Sequence, residues 1–219
     1  LMYTHTGTHI DALSHFGLNG RIWNGFHHDS HQGDLGWHKG GAENLPPIIA
    51  RGVLIDVPAY KGMDMLPDSY RIMPADLEGA LVRQGVRLQT GDAVFIRTGR
   101  MRVIDDKQRY MDNPPGIGLD AARWLVETHG AMLIGSDNLS LETFPVETPD
   151  NWVPVHTYLE AEQGVFRRGA PVPRRARGFG HRAHCRRRHQ APRRPGAGTP
   201  LRRRLRHARQ RLRRHRGGA

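Results

Sequence analysis

The sequence predicts an α/β domain over residues 1–165 and a separate basic tail over residues 166–219. Two observations lead to this prediction. Short β-branched apolar runs alternate with stretches of helical periodicity, and the amino-acid composition changes abruptly after Val165. Strands and helices in alternation are typical of a sheet that is at least partly parallel and covered by helices.

The first three predicted elements are a strand, a helix and a strand. Residues 53–57 form a short apolar run rich in β-branched side chains, which indicates a buried strand. A helix is expected over residues 75–84, with Pro74 in its first turn and Gly85 as its stop. Residues 93–97 predict the second strand.

The second half of the domain repeats this order. Asp120 is expected to cap a helix over residues 121–129, and residues 131–135 predict a third strand. A last helix is predicted over residues 155–163. Residues 17–47 have no periodicity, so we expect a long loop, and long loops in compact domains are commonly functional or mobile.

The charge is distributed very unevenly between the two parts of the chain. Residues 1–165 carry 13 Lys and Arg against 21 Asp and Glu, a net charge of −8, whereas residues 166–219 carry 20 Arg and no acid, a net charge of +20. The tail has too few apolar residues to build a core and is expected to be disordered. Two origins remain open: an Arg-rich arm that binds RNA or DNA nonspecifically, or a GC-rich gene read in a shifted frame.

The chain contains a single cysteine, Cys185, which excludes an intrachain disulfide and a disulfide-stapled scaffold. No apolar run approaches the roughly 18–20 residues that span a bilayer, and no secretory leader pattern is present. These features predict a cytoplasmic protein with no membrane partner. A metal-type motif begins within five residues of Leu1, so the N-terminus is expected to be truncated.

Four potential metal-site side chains lie within eleven residues: His5, His9, Asp11 and His15. All occupy odd positions, so a straight strand would place them on one face. Such a strand would nevertheless hold the first and third of them roughly 20 Å apart, whereas ligands of one metal lie about 2.0–2.2 Å from it. The chain must therefore bend, and Gly7 is the residue that permits an unusual backbone angle.

The donor set of this motif indicates a catalytic metal site. Two imidazoles and one carboxylate, from His5, His9 and Asp11, suit Zn²⁺ or Mn²⁺ and leave positions for water and substrate. A bound metal lowers the pKa of water towards neutrality. His15 could then serve as general base or acid. A lone histidine is more often structural, but four such residues in eleven favour a metal site.

Residues 4–16, Thr-His-Thr-Gly-Thr-His-Ile-Asp-Ala-Leu-Ser-His-Phe, resemble the His-x-Gly-Thr-His-x-Asp-x-x-x-His motif of the cyclase family of metal-dependent hydrolases. That family contains bacterial kynurenine formamidase and isatin hydrolase. Similar blocks follow, so the resemblance covers nearly all of residues 3–165; they lie at residues 51–57, 74–77, 91–99, 135–137 and 154–159.

The resemblance implies a swivelling β/β/α-type domain with a mixed sheet, here truncated at both ends, that usually forms a homodimer. It implies hydrolysis of a small-molecule amide, either an arylformamide, as in tryptophan catabolism, or a lactam. His5, His9 and Asp11 are implied as metal ligands, with Asp11 as a bridge when two metals bind. His15 is implied as the proton carrier, and His156 matches the later histidine beside the second metal position.

The chain departs from the family pattern in two places. Leu13 stands where the kynurenine formamidase branch usually has Pro, which favours a different branch. The family also places a Glu about a dozen residues after the position of His156, where this chain has Arg167, Arg168 and Gly169. A break of the second metal position is therefore expected.

Other residues of the domain allow a functional and an ordinary interpretation. The histidines of the long loop could form another metal cluster or belong to a solvated flap; they are His27, His28, His31 and His38. Asp137 could be functional or could cap a turn. The aromatic residues Trp23, Phe26 and Trp37 could line a substrate pocket or simply pack. Glu160 and Glu162 are expected on the exposed face of the last helix.

The sequence therefore leaves three functions open. The leading hypothesis is a metal-dependent amidohydrolase that acts through residues 5–15. A protein that binds nucleic acid through the Arg-rich tail is the competing class. An inactive member of the family, which binds one metal and turns over no substrate, is the third.

Overall fold

The structure is a computed structural model that describes residues 8–165. Its strands are β1 Gln32–Gly33, β2 Gly36–Trp37, β3 Gly52–Asp56, β4 Arg71–Ile72, β5 Ala93–Arg97, β6 Gly116–Ile117 and β7 Leu133–Ser136. Its α-helices are α1 His28–His31, α2 Val57–Tyr60, α3 Pro74–Gln84, α4 Lys107–Met111, α5 Leu119–Arg123 and α6 Pro154–His156. The π-helical segments Trp124–Thr128 and Thr157–Gln163 continue α5 and α6, respectively. Short 3-10 helices lie at Trp23–Gly25, Ala42–Asn44 and Arg100–Val103.

The main sheet has the strand order β3-β5-β7, and both pairs are parallel. Leu54, Phe95 and Gly135 lie side by side across it. A second pair, β4 with β6, is parallel, and the β1–β2 hairpin is antiparallel. The predicted α/β class is confirmed: three predicted strands form the main sheet, with helices between them.

Helix α3 begins and ends where the sequence predicts. Pro74 occupies its first turn, where the missing N–H is not needed. The Asp76 carboxylate accepts a hydrogen bond from the Met73 N–H at 3.0 Å, which satisfies a donor at the start of the helix. At the other end Gly85 adopts the left-handed conformation, with φ 66°, and stops the helix.

The hydrophobic core lies on one face of the main sheet. Ile55 of β3 and Ile96 of β5 are buried and belong to the same cluster as Leu77 of α3. The opposite face carries Leu54 and Phe95, which are 54% and 44% exposed. Period-2 alternation, clearest along β3, produces this difference, because successive side chains point to opposite faces.

The start of α5 differs from the prediction. Its N-cap is Gly118, in extended backbone, and Asp120 lies inside the first turn instead of capping the helix. An acid in this turn still interacts favourably with the helix dipole. The short strands β4 and β6 were not predicted, since two residues are too few to produce a periodic pattern.

Residues 17–47 consist mainly of loop, as predicted, with the β1–β2 hairpin and α1 inside it. The loop packs against the last helical segment at one close contact. A side chain at Gly164 would place its Cβ 2.3 Å from Nε1 of Trp23, and the backbone φ there is +63°. Glycine is therefore required at this position, and Trp23 serves packing at this contact.

Several predictions fall outside residues 8–165. His5 and the bend at Gly7 belong to the first seven residues, and the basic tail covers residues 166–219. Among the residues that the structure describes, no helix has the length and apolar character of a membrane span.

Candidate functional site

The Asp11 carboxylate is the point at which the histidines of the motif converge. Its Oδ1 lies 3.3 Å from Nε2 of His9 and 3.8 Å from Nε2 of His15. All three side chains are partly buried, with 22–33% of their surface exposed. The structure thus brings together three of the four residues singled out in the motif, and His5 lies outside the described residues.

A tight turn places His15 beside Asp11. The His15 N–H donates to the Ala12 carbonyl at 2.8 Å, which folds the chain back within four residues. Leu13 is buried, and the Ser14 N–H donates to the Gly40 carbonyl at 3.2 Å. One buried side chain and one hydrogen bond to the long loop therefore hold the turn in place.

The second half of the site comes from the far end of the domain. Ligand atoms of Asp11, His156 and Glu160 all lie within 4.8 Å of one another. Glu160 is fully buried, so the expectation that it is exposed is wrong, whereas Glu162 is exposed as expected. Residues four apart share one helix face, and this spacing from His156 was a signal that could have identified Glu160.

Glu142 is a functional candidate that sequence reasoning missed. Its buried carboxylate lies 2.5 Å from Nδ1 of His156 and accepts hydrogen bonds from the Val155 and His156 N–H groups, both at 3.2 Å. It therefore satisfies the first N–H groups of α6 and orients the imidazole. A carboxylate behind a metal-binding histidine commonly fixes the ring in this way.

Carboxylates dominate the electrostatics around His156. Burial acts to lower the pKa of this imidazole, but the hydrogen bond to Glu142 and the charges of Glu142, Glu160 and Asp11 outweigh it. The pKa of His156 consequently lies above its ordinary value of 6.5. A local potential this negative stabilises positive charge at the site.

The residues present fit a divalent cation. Donors at about 2.0–2.2 Å from a single metal lie at most roughly 4.4 Å from each other, and the ligand atoms of Asp11, His156 and Glu160 lie within 4.8 Å of one another. Imidazole with carboxylate oxygen is a donor set for Zn²⁺ or Mn²⁺. The chemistry of the site therefore agrees with metal binding and does not select one metal.

A second group of ligand-type side chains lies in the long loop, at His27, His28 and Asp29. Both imidazoles approach the Asp29 carboxylate, at 3.3 and 3.2 Å, and their rings stack at 4.5 Å. Asp29 is 72% exposed, however, and an exposed group of this kind often has no ion. The other two loop histidines do not belong to this group, and His31 packs against Phe26.

Aromatic rings border the candidate site. The Phe16 ring lies 5.7 Å from the His156 ring and 5.5 Å from the Trp152 ring, between ring centroids. Trp152 is 68% exposed, so one aromatic surface beside the histidines faces solvent. Trp152 was not predicted as a site residue, because it lies outside any periodic segment.

A pocket of about 320 Å³ opens beside His15. Its wall includes Trp37, one of the three aromatic residues for which the sequence left pocket lining and packing open. The volume falls at the lower end of the range for small-molecule sites, roughly 300–1,000 Å³. A small substrate could therefore reach His15 from this side.

Asp137 caps a turn. Its carboxylate accepts hydrogen bonds from the Thr98 N–H at 2.7 Å, the Thr98 hydroxyl at 2.6 Å and the Gly99 N–H at 2.9 Å. These bonds hold the chain directly after β5, where Gly99 has φ +82°. Of the two interpretations left open by the sequence, the hydrogen bonds favour the structural one.

The site and the fold agree with one protein family. The family described as "Putative cyclase" matches residues 1–143, which is more than half of the chain. The chain therefore belongs to the cyclase family. The match includes the whole metal-type motif and ends just after Glu142, before the helix that carries His156 and Glu160.

Three similar proteins extend this result. Cyclase-like protein 1 of Arabidopsis thaliana is 28% identical over 141 residues, which are 64% of this chain and 45% of that protein. The crystal structure of a novel cyclase has a TM-score of 0.63 and 34% identity, covering 71% of this chain and 52% of that one. An isatin hydrolase bound to the product analogue thioisatinate has a TM-score of 0.53 and 18% identity, covering 74% and 57%. The chain thus spans about half the length of these relatives.

Proposed function

We propose that the chain is a metal-dependent hydrolase that cleaves the amide bond of a small molecule, either an arylformamide or a lactam. The observation that carries this proposal is the convergence of His9, His15 and His156 on the Asp11 carboxylate. Zinc or manganese held by His5, His9 and Asp11 would polarise the amide carbonyl and lower the pKa of an attacking water.

His15 is the proposed proton carrier of the reaction. Its imidazole lies on the wall of the pocket and is one-third exposed, so substrate and water can reach it. The Asp11 carboxylate lies 3.8 Å from Nε2, so the ring lies next to the metal position proposed above. Histidine is suited to both removing and returning a proton near neutral pH.

The substrate class rests on the surroundings of this centre. Phe16 and the exposed Trp152 offer flat apolar surfaces on which an aryl group can stack. The isatin hydrolase among the similar structures supports a lactam as one candidate substrate.

From the resemblance to the cyclase family we also propose that the active form is a homodimer, which light scattering of the purified chain would check.

The test compares metal content and turnover on the full chain. Removing metal with a chelator should abolish hydrolysis of an arylformamide or an aryl lactam, and adding Zn²⁺ or Mn²⁺ should restore it. His9→Ala should lose both metal and activity. His15→Ala should keep the metal and lower kcat by about 10²–10⁴-fold, the usual contribution of a general acid or base.

His129→Ala is the matched control, because His129 belongs to neither group of potential ligands and its ring packs against Trp124 at 4.2 Å between centroids. It should retain full metal content and turnover. Hydrolysis that survives both the chelator and His15→Ala would overturn the proposed mechanism.

A further inference from the structure

The segment Thr157–Gln163 brings a buried carboxylate to the candidate site. Glu160 has no exposed surface, and one of its oxygens lies within 4.8 Å of ligand atoms of both Asp11 and His156. The segment is π-helical, a rare conformation that frequently occurs at functional sites. Asp11 comes from the N-terminal loop, so the group joins two distant parts of the chain.

Glu142 determines which atom His156 presents to this group. Because Nδ1 is held at 2.5 Å by the Glu142 carboxylate, Nε2 is the ring nitrogen available to a cation. The same carboxylate binds two N–H groups of α6, which fixes the position of the helix together with that of the ring. The imidazole is thus oriented before any ligand arrives.

The donor types of these three side chains suit a divalent cation. Asp11 and Glu160 offer carboxylate oxygens, and His156 offers an imidazole nitrogen. Glu160 is the more deeply buried of the two acids, and one of its oxygens lies within 4.8 Å of ligand atoms of both other residues.

We propose that Glu160 is a metal ligand and that, with His156 and Asp11, it forms a second divalent-cation position next to the one on His5, His9 and Asp11. The family resemblance places such a carboxylate about a dozen residues after His156, where this chain has arginines. Here the carboxylate lies one helical turn after His156 instead. The second position is therefore complete within residues 8–165. This inference rests on the proposed function, because both positions share Asp11.

The experiment counts bound metal on the full chain. After treatment with a chelator, the protein is titrated with Mn²⁺ in a calorimeter, and metal content is measured by mass spectrometry after desalting. We expect two equivalents for the unmodified chain and one for Glu160→Gln, a substitution that preserves shape and removes charge. Affinity at the second position should fall on the order of 100-fold or more, beyond the usual loss of an outer hydrogen-bond partner.

Glu162→Gln is the matched control, because Glu162 is an exposed acid two residues along the same segment. It should retain two equivalents. His156→Gln provides an independent variant and should also bind one. Circular dichroism of each variant reports whether the fold is kept, and if Glu160→Gln unfolds, the result for His156→Gln decides.

The outcomes separate this inference from the proposed function. If the chain binds one equivalent that His9→Ala removes and the Glu160 and His156 variants do not, the second position is refuted and the proposed function stands. Two equivalents retained in Glu160→Gln would also refute it. If the unmodified chain binds no Mn²⁺ and no Zn²⁺, both proposals fail.

Discussion

Asp137 illustrates how a single carboxylate can stabilise the backbone around a site. It accepts hydrogen bonds from Thr98 and from Gly99, and the Thr98 side chain is fully buried. Without this acceptor, buried donors in the turn after β5 would have no partner. Unsatisfied donors of this kind cost more than the bond itself contributes.

Asp137→Ala should therefore lower the free energy of unfolding by about 1–3 kcal/mol. Urea denaturation of the purified chain measures this change. Metal stoichiometry should be unaffected, because Asp137 belongs to neither group of potential ligands. As a control, replacement of the exposed Asp105 by Ala should change stability by no more than about 0.5 kcal/mol. Loss of bound metal in Asp137→Ala at full stability would contradict the structural role.

At the scale of the elements, an ion pair joins the beginnings of two neighbouring strands. Arg51 precedes β3, Asp92 precedes β5, and their side chains form two hydrogen bonds, at 2.8 and 2.6 Å. The Asp92 side chain is buried and also accepts from the Gln89 N–H at 2.7 Å. The hydrogen bond from Arg51 holds the pKa of Asp92 below its ordinary value. The pair thereby favours the parallel register.

This lowered pKa predicts how stability depends on pH. Asp92 binds a proton less readily in the folded chain than in the unfolded chain. Its stabilising contribution is therefore present above the unfolded pKa of about 3.9 and is lost as the pH falls through the folded value. Asp92→Asn should be less stable than the unmodified chain at pH 7, and the difference should shrink below about pH 4. Chemical denaturation at several pH values measures it, and a difference that is constant across that range would contradict the prediction.

The sequence predicted the longer elements well and the short or irregular ones poorly. Helix α3 and strand β5 have clear periodicity and, for the helix, end signals at Pro74 and Gly85, and both form where expected. The strands β4 and β6 have two residues each, and they depend on pairing with distant segments, including the bridge between Ile117 and Glu142. The change from α- to π-helix after Arg123 and after His156 depends on packing, which a periodic pattern does not record.

The candidate site was only partly predicted, because a sequence pattern does not record tertiary packing. The local spacing of residues 5–15 indicated a metal site, and the resemblance to the family added His156. Glu142 and Glu160 were missed because they meet the other site residues through tertiary contacts. Glu142 binds His156, and Glu160 lies near Asp11. The position of Glu160 relative to His156 was readable in the sequence, but its burial was not.

At the scale of the whole molecule, RNA binding by residues 166–219 should be separable from metal binding by residues 5–160. The net charge of +20 on residues 166–219 predicts nonspecific binding to RNA through phosphate contacts. Deleting these residues should abolish RNA binding, whereas binding by the full chain should fall by about 10³–10⁵-fold between 50 and 200 mM salt if six to ten phosphates are contacted. Fluorescence anisotropy with a labelled RNA measures both effects.

A tail of the same composition in scrambled order is the control and should bind RNA equally well, because charge and not sequence determines this interaction. Metal content should be the same with and without the tail, since the proposed ligands all lie within residues 5–160. RNA binding that resists 200 mM salt, or that depends on the order of residues in the tail, would contradict a purely electrostatic interaction.

The convergence of Asp11 with Glu160 has a consequence for synthesis of the protein on the ribosome. The two acids are about 150 residues apart. Translation at roughly 5–20 residues per second therefore adds Glu160 some 7–30 s after Asp11. During that interval the histidines near the amino end cannot meet His156 and Glu160, which have not yet been made. Metal captured early would be bound by the first segment alone, and under the proposal above Glu160 would join the site only after its codon has been translated.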